Sequence, residues 1–258
     1  MGVPELLAGA AAGMLGVGAL GVFHPRVALF GPELSRVRTL EPQVALTFDD
    51  GPHPDFTPRI AEVLARYQVQ ATFFCVGGEL ERHGDVARTL HRAGHGLANH
   101  TYGHSTGAEL FQARRLTADL ARCQKLLLDL TGETCRHYRP AVGIRNPEVH
   151  RAARALGLTV VTWSLGARDG LFALTHARAR SLARRAKPGS ILALHDGVRG
   201  DRTALREATV RHLPALLEAL QARGLRVGTL EALLQPRRSS ASTVPSGSRT
   251  NGFLSSST

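Results

Sequence analysis

Two adjacent carboxylates end an apolar stretch early in the chain. Asp49 and Asp50 follow the stretch Val44–Phe48, and a Gly-Pro pair directly after them turns the chain. Successive side chains of a strand point to opposite faces, but a turn at this point can bring both acids to one site. Such a pair can divide two tasks, one carboxylate binding a metal ion and the other acting as a general base.

Two histidines, His100 and His104, lie four positions apart and about fifty residues further on. One carboxylate and two imidazoles make a set of three ligands, which leaves coordination positions open, as in catalytic rather than structural metal sites. The remaining carboxylate then stands beside a metal-bound water as its general base. These residue types and spacings predict a metal-dependent hydrolase.

The composition allows one large domain and gives no sign of nucleic-acid binding. The chain has 258 residues and a formal charge of +11, yet only two lysines. Its arginines are spread over amphipathic helices, which favours solvated basic helix faces, with an anionic envelope or polymer as neighbour as the alternative. The sequence shows neither zinc-knuckle spacing nor an RNA-binding aromatic motif. We therefore expect a monomer without a nucleic-acid partner.

The three cysteines do not settle the redox compartment. Cys75 lies in an apolar stretch typical of a buried strand. The chain has no CxxC spacing. A disulfide between Cys123 and Cys135 would form only in an oxidising compartment, and it stays open as an alternative.

The uncharged segment Leu6–Phe23 is eighteen residues long, about the minimum for a membrane span. It lacks a basic region before it and a small-residue cleavage site after it, so we expect an uncleaved anchor, with an unusual signal peptide or a buried helix as alternatives. Arginines after the segment favour the cytoplasmic side, but large domains often cross regardless, and the orientation stays open. Residues 1–41 are thus predicted to be an anchor and linker, and the polar residues 236–258 a disordered tail.

Between residues 42 and 235, apolar runs typical of strands alternate with segments of helical periodicity. Several runs are apolar almost throughout, as expected for a parallel sheet covered by helices. The predicted strands are Val44–Phe48, Ala71–Val76, Gly96–Asn99, His137–Arg139, Leu158–Trp163, Ser190–Leu194 and Leu225–Leu230. The predicted helices include Pro58–Tyr67, Asp85–Ala93, Glu109–Leu130, Glu148–Leu156, Leu174–Ala186 and Ala204–Arg223. This alternation predicts an α/β fold, a distorted and incomplete TIM-like barrel of about seven parallel strands.

The reactive residues fall where predicted strands end. Carboxylates, histidines and an arginine follow or end five of these strands, namely Asp49, Asp50, His100, His104, Arg139, Asp169 and His195. Barrel active sites are built at the carboxyl ends of the strands, so this fold would gather all of them at one mouth.

Five motifs follow one another between Val44 and Leu234: TFDDGP, HTYGH, YRPAVG, WSLGARD and LALHD. In this order they resemble the polysaccharide deacetylase family, of the NodB type and carbohydrate esterase family four. The resemblance implies a distorted parallel β/α barrel and removal of N-acetyl, sometimes O-acetyl, groups from sugars. It also implies one divalent metal ion as cofactor, usually zinc, with cobalt or another divalent ion as alternatives.

The resemblance assigns roles on both sides of the metal. Asp49 matches the base, and Arg139 matches an arginine that orients the base through a charge-assisted hydrogen bond. The matched metal ligands are Asp50, His100 and His104.

The remaining motifs supply the acid and the surroundings of the acetyl group. His195 matches the residue that protonates the departing amine, since an amide cannot expel an unprotonated nitrogen, and Asp169 is the candidate for holding it protonated and oriented. The backbone N–H of Val142 is expected to help bind the oxyanion. Leu192 or Leu194 is expected to wall an apolar pocket for the acetyl methyl.

The chain departs from the family pattern around the sugar. Val142 stands where an aromatic is common, Gly166 replaces a usual acid, and Gly170 replaces a usual aromatic. These changes leave the predicted chemistry intact but remove surfaces that a sugar ring would contact. Trp163 lies in a predicted strand, which favours a place in the core.

The sequence as a whole predicts a membrane-attached hydrolase, with its catalytic domain outside the cytoplasm, or secreted if the leader is cleaved. Its expected activity is N-deacetylation of an acetylated envelope polysaccharide, such as peptidoglycan or a chitin-like glycan, with release of acetate. An O-acetyl esterase or a non-sugar amidase on the same scaffold is the alternative. A metal-containing envelope protein that binds glycan without catalysis is the alternative of a different class.

Overall fold

A curved, wholly parallel sheet forms the centre of the computed structural model, which describes residues 31–198 and 200–235. Strands β1 to β9 span Glu33–Leu34, Gln43–Asp49, Thr72–Cys75, Gly96–Asn99, His137–Tyr138, Thr159–Val161, Leu165–Gly166, Ile191–His195 and Arg226–Gly228. Their order is β1-β6-β5-β4-β3-β2-β8-β7, and β9 pairs with the first half of β2. The predicted fold class, an incomplete parallel α/β barrel, is confirmed.

Helices connect the strands and cover the sheet. In the described residues, α1 to α9 span Phe56–Arg66, Gly77–Arg82, Gly84–Arg92, Thr106–Phe111, Ala113–Thr131, Pro147–Ala155, His176–Arg185, Thr203–Gln221 and Leu230–Leu234. A short 3₁₀ turn, Ala141–Gly143, follows β5. The predicted helix Glu109–Leu130 is in fact two helices, because the backbone leaves the helical region at Gln112, with φ −138° and ψ 73°.

The central strand β2 shows why the apolar run Val44–Phe48 forms a strand. Its residues from Val44 to Asp49 are all buried, because neighbouring strands flank it and side chains cover both of its faces. Phe48 stacks on Phe73 of β3 with ring centroids 5.1 Å apart. The core therefore holds β2 rigidly up to its last residue, where the first reactive carboxylate lies.

The folded domain begins earlier than residue 42, the predicted boundary. Strand β1 pairs with β6, and the Thr162 N–H donates to the Leu34 carbonyl at 2.9 Å. Three residues later, the Val37 N–H donates to the Gly189 carbonyl at 2.9 Å, just before β8. The segment 33–37 thus bridges the two sides of the gap in the barrel.

The predicted anchor Leu6–Phe23 and the predicted tail 236–258 lie outside the described residues. Within residues 31–198 and 200–235, no helix has the length and apolar character to cross a bilayer. Cys75, Cys123 and Cys135 are buried free thiols, so the alternative of a Cys123–Cys135 disulfide is not realised.

Candidate active site

Reactive side chains from several strands meet at the carboxyl edge of the sheet. Asp49 is the last residue of β2, and His195, the last residue of β8, is its register partner on the neighbouring strand. His100 directly follows β4, and Arg139 directly follows β5. One edge of the parallel sheet therefore carries residues from distant parts of the sequence, as a barrel active site requires.

Asp50, His100 and His104 form a cluster of three potential metal ligands. Their donor atoms all lie within 4.8 Å of one another. Asp50 Oδ1 is 3.5 Å from His100 Nε2 and 3.2 Å from His104 Nε2. Asp50 and His104 have left-handed backbone, with φ of 75° and 49°. This conformation costs energy in residues other than glycine, and its occurrence at two of three ligands indicates a functional constraint.

The polar atoms of this cluster fit a divalent cation. Asp50 Oδ1 is buried and accepts no conventional hydrogen bond from the described residues. His100 Nδ1 lies 2.7 Å from the Arg139 carbonyl oxygen, and since a carbonyl only accepts, Nδ1 carries the proton. The lone pair of the neutral ring is then on Nε2, facing Asp50, as in histidines that bind metal through Nε2.

A buried arginine orients Asp49. Arg139 Nη1 donates to Asp49 Oδ1 at 2.6 Å and to the Thr47 hydroxyl at 2.7 Å. Its Nη2 donates to the Thr162 carbonyl at 3.0 Å, and its guanidinium lies 3.9 Å from the Phe74 ring centroid. Charge-assisted bonds of this length hold a carboxylate in one orientation. Asp49 is therefore available as an oriented base next to the ligand cluster.

His195 is paired with a buried carboxylate. His195 Nδ1 lies 2.8 Å from Asp169 Oδ1, and the His195 backbone N–H donates to Asp169 Oδ2 at 3.1 Å. Burial lowers the pKa of His195, but the hydrogen bond and charge of Asp169 raise it to about 9. Burial raises the pKa of Asp169, but His195 and Arg206 lower it to about 2. The imidazolium form is thus favoured near neutral pH, which is the form that can donate a proton.

Two residues of α8 hold Asp169 in place. Arg206 Nη1 donates to Asp169 Oδ2 at 3.0 Å, and the Thr209 hydroxyl donates to the same oxygen at 3.0 Å. Arg206 also donates to the backbone carbonyls of His195 and Asp169. Arg206 is almost wholly buried, at 1% exposure. One guanidinium therefore fixes both members of the His195–Asp169 pair.

The turn after Arg139 presents a free backbone donor beside the mouth. The Ala141 N–H donates to Glu109 Oε1 at 2.8 Å, and the Gly143 N–H donates to the Pro140 carbonyl at 3.1 Å. The Val142 N–H between them has no acceptor in the part of the chain that the structure describes. Val142 also has a left-handed backbone, with φ 47°. A donor left open in a held turn is the kind of group that binds an oxyanion.

Comparison with known proteins decides the family. A family model described as polysaccharide deacetylase matches residues 36–161. A chitooligosaccharide deacetylase of Sinorhizobium fredii is 35% identical over 76% of this chain and 93% of its own. The chain belongs to the polysaccharide deacetylase family.

Two further relatives within this family differ in substrate. A peptidoglycan-N-acetylglucosamine deacetylase of Bacillus cereus is 30% identical over 74% of this chain and 88% of its own. A family 4 acetyl xylan esterase from Clostridium thermocellum, solved with a cobalt ion, is 27% identical, with a TM-score of 0.66 over 74% of this chain and 89% of that one. The family assignment therefore gives a deacetylase scaffold, while the names of its members cover several acetylated glycans.

The residues beside His195 and Arg139 include positions where this deacetylase departs from the family pattern. Val142 is 67% exposed. A Cβ at Gly170 would lie 3.2 Å from His195 Cε1, so the backbone at Gly170 packs directly against the imidazole. Trp163 is only partly buried, packs against the core, and lies 5.6 Å from the Arg139 guanidinium. Two exposed apolar side chains, Leu171 and Phe172, directly follow Gly170, at 68% and 56% exposure, so the chain keeps exposed apolar surface there.

The register of β8 corrects the prediction for the acetyl pocket. Ala193 and His195 pair with Thr47 and Asp49 of β2, whose side chains face Arg139. Because side chains alternate, Leu192 and Leu194 face the opposite side, where both are fully buried in the core. The small side chain of Ala193, not a leucine, shares the face of the reactive residues.

Sequence reasoning missed Arg206, Thr209 and Glu109. Glu109 accepts hydrogen bonds from the Tyr138 hydroxyl at 2.9 Å and from the Ala141 N–H, and burial raises its pKa to about 7. An arginine or a glutamate in an amphipathic helix normally indicates a solvated face. For the two residues of α8, the only signal in the sequence was their position on the apolar stripe, since Thr209 lies three residues after Arg206 and four before Leu213.

Proposed function

We propose that this protein is a metal-dependent N-deacetylase of an acetylated envelope polysaccharide, with peptidoglycan as the leading substrate and acetate as a product. One observation carries the proposal: an oriented carboxylate, Asp49, and a carboxylate-paired imidazole, His195, are register partners next to a three-ligand cluster. A base and an acid facing one metal position are what amide hydrolysis needs.

Asp50, His100 and His104 would hold one divalent ion, for which we propose zinc. Two imidazoles and one carboxylate are a ligand set of catalytic zinc sites. Bound there, the ion would supply Lewis acidity for the acetyl carbonyl and lower the pKa of a water molecule. The cobalt ion solved with the acetyl xylan esterase of C. thermocellum supports a divalent ion in this family.

The protein side chains then move the protons. Asp49, held by Arg139, accepts the proton of the attacking water. The Val142 N–H donates to the oxygen on which negative charge develops. His195, kept protonated by Asp169, donates its proton to the amine nitrogen as the carbon–nitrogen bond breaks. Asp169 stays ionised throughout, because Arg206 and Thr209 remain hydrogen-bonded to it.

Relatives and charge support the choice of substrate. The B. cereus relative is named a peptidoglycan-N-acetylglucosamine deacetylase, and the S. fredii relative a chitooligosaccharide deacetylase. A chain of formal charge +11 is attracted to an anionic wall polymer more than to neutral chitin-like glycan. We further propose that Leu6–Phe23 attaches the protein to the membrane with its catalytic domain outside the cytoplasm.

Acetate release tests the proposal. The metal-loaded protein is incubated with peptidoglycan, chitooligosaccharides and acetylxylan, with Asp49→Asn as the control that keeps the ligand cluster. We expect wild-type acetate release to be fastest on peptidoglycan, and faster on polymer than on short oligomers, because remote binding energy positions the acetyl group. Release from acetylxylan alone would replace the proposal with an O-acetyl esterase. No release from any glycan would leave a glycan-binding protein.

Cell fractionation tests the location, and recovery in the cytoplasm would contradict it.

A further inference from the structure

A groove on the open side of the barrel concentrates positive charge. It has a volume of about 900 Å³ and lies between the sheet-edge strand β7, helix α7 and the segment 35–36. Five cationic side chains line it, namely Arg36, Arg168, Arg178, Arg185 and Lys187. No aspartate or glutamate of residues 31–198 and 200–235 lines it. We call it the basic groove.

The charge of the groove is held in place but not neutralised. Arg178 donates to the Ala173 carbonyl at 2.9 Å and the Ala167 carbonyl at 3.1 Å, and Arg36 donates to the Pro188 carbonyl at 2.9 Å. Carbonyls carry no formal charge, so these bonds orient the two guanidinium groups without cancelling them. None of the five cations forms an ion pair with a carboxylate of the described residues. Like charges held together repel, which favours an anionic ligand.

One end of the groove lies next in the chain to the acid pair of the active site. Arg168 directly precedes Asp169, the partner of His195. Trp163, which lines the inner wall, lies 5.6 Å from the guanidinium of Arg139, which in turn holds Asp49. At its other end, Arg185 and Lys187 lie at the end of α7 and before β8. The groove therefore runs along the open side of the barrel, from the residue that precedes Asp169 to the amino end of β8.

We propose that the basic groove binds a carboxylate-bearing stretch of the polysaccharide whose acetylated sugar lies in the active site, an inference that rests on the proposed function. Guanidinium groups bind carboxylates through paired hydrogen bonds, and serine hydroxyls, including Ser35 and Ser181, line the groove as further donors. A concave groove of this size admits a polymer segment, whereas a lipid bilayer presents a broad surface that cannot enter it. Bound there, the carboxylate-bearing stretch would contribute remote binding energy to the reaction.

A pair of matched double variants tests the groove. Arg185→Gln with Lys187→Gln removes two charges from it, and Arg180→Gln with Arg184→Gln removes two exposed charges of the same helix α7 that do not line it. Oligogalacturonate, an unacetylated polyuronate, is the binding probe, so the result does not depend on turnover. Calorimetry gives the affinity, and the emission of Trp163, the only tryptophan of the chain, reports binding beside the groove wall. We expect the groove pair to weaken binding about five- to tenfold, and the control pair less than about twofold.

Kinetics form the second arm. On peptidoglycan glycan strands freed of their stem peptides, which carry lactyl carboxylates, kcat/KM should fall in the groove pair to the same extent as binding, while turnover of neutral chitooligosaccharides stays unchanged. Equal losses in both double variants would overturn the inference in favour of net charge alone. Unchanged binding in the groove pair would overturn it as well, and so would a loss of binding to phosphatidylglycerol vesicles without a loss for oligogalacturonate. Groove-dependent oligogalacturonate binding by a wild type that releases no acetate would support the groove and refute the proposed function.

Discussion

The two sides of the active site treat their buried carboxylates in opposite ways. On the ligand side, Asp50 Oδ1 accepts no conventional hydrogen bond in the described residues and faces two imidazole nitrogens. On the acid side, both oxygens of Asp169 are occupied, Oδ1 by the His195 ring and Oδ2 by the His195 backbone, Arg206 and Thr209. The chain completes one side by itself, whereas the proposed cation would complete the other side. Mutations on the ligand side should therefore change metal content, and those on the acid side proton transfer and stability.

The largest effect is expected from His100→Ala, because it removes one of three ligands and leaves Asp50 buried. We expect metal to be largely lost and turnover to fall to background. Elemental analysis of the purified protein measures the first and acetate release the second. His91→Ala, a histidine outside the cluster, is the control and should keep its metal. Full metal occupancy in His100→Ala would remove this residue from the ligand set.

Two further variants, Asp49→Asn and His195→Ala, separate proton transfer from metal binding. Each removes a proposed base or acid and leaves all three proposed metal ligands in place. We expect turnover to fall about 10²- to 10⁴-fold in each, the usual contribution of a general base or acid. Metal content should stay at the wild-type level in both. If Asp49→Asn instead loses metal and regains activity when metal is added in excess, Asp49 is a ligand and the base lies elsewhere.

Arg206→Leu tests whether the buried Asp169 depends on Arg206 of α8 for its stability. The change leaves the buried Asp169 carboxylate without its buried cationic partner, so we expect the free energy of unfolding to fall by about 3–5 kcal/mol. Denaturant midpoints measure it, with Arg211→Leu, an exposed arginine of the same helix, expected to stay within about 0.5 kcal/mol. Arg206→Lys, which keeps the charge but loses the forked donors, should lie between the two. Equal midpoints for the two leucine variants would contradict the role given to Arg206.

The acid side should also show in the pH dependence of stability. Asp169 raises the pKa of His195 to about 9, above its unfolded value near 6.5. A raised pKa stabilises the folded state fully below pH 6.5 and loses this contribution as the pH rises through about 9. The metal-free wild type should therefore lose, relative to His195→Ala, on the order of 2 kcal/mol of unfolding free energy across this range. Denaturation at several pH values measures this, and a gain over the same range would refute the pairing.

The smallest effect is expected at Val142, whose backbone N–H is the proposed oxyanion donor. Val142 has φ 47°, a conformation that costs a β-branched residue about 1–2 kcal/mol and costs glycine almost nothing. After the extra chain entropy of glycine is subtracted, Val142→Gly should stabilise the fold by about 0.5–1 kcal/mol. Because the backbone N–H remains, acetate release should change less than about threefold. A large loss of activity would show that the valine side chain, not its N–H, serves the reaction.

The sequence predicted the strands better than their borders. All seven predicted strands exist, with ends within two residues, and the longest of them, β2 and β8, are apolar runs buried in the sheet. The two-residue strands β1 and β7 were missed, since Glu33–Leu34 and Leu165–Gly166 are too short to show any periodicity and are defined only by their neighbours. The break at Gln112 was missed because the apolar periodicity runs through it while the backbone does not.

The site was predictable where chemistry fell at strand ends and motifs recurred in order. Asp49 and His195 could be placed together because parallel strands end at one edge. Arg206 could not, since its role depends on its depth in the fold, and one arginine among many on basic helices carries no sign of burial. Leu192 and Leu194 were misplaced because the sequence does not reveal which face of β8 looks toward Arg139.

With the proposed anchor in a membrane, the bridge formed by segment 33–37 would set the reach of the enzyme. Only the nine residues His24–Pro32 separate the proposed anchor from β1. Fully extended, nine residues span roughly 30 Å. Because β1 is hydrogen-bonded into the sheet, the linker could gain length only if β1 left the sheet and the barrel opened. An anchored molecule would therefore work only on the glycan layer nearest its membrane, and the outer layers would keep their acetyl groups.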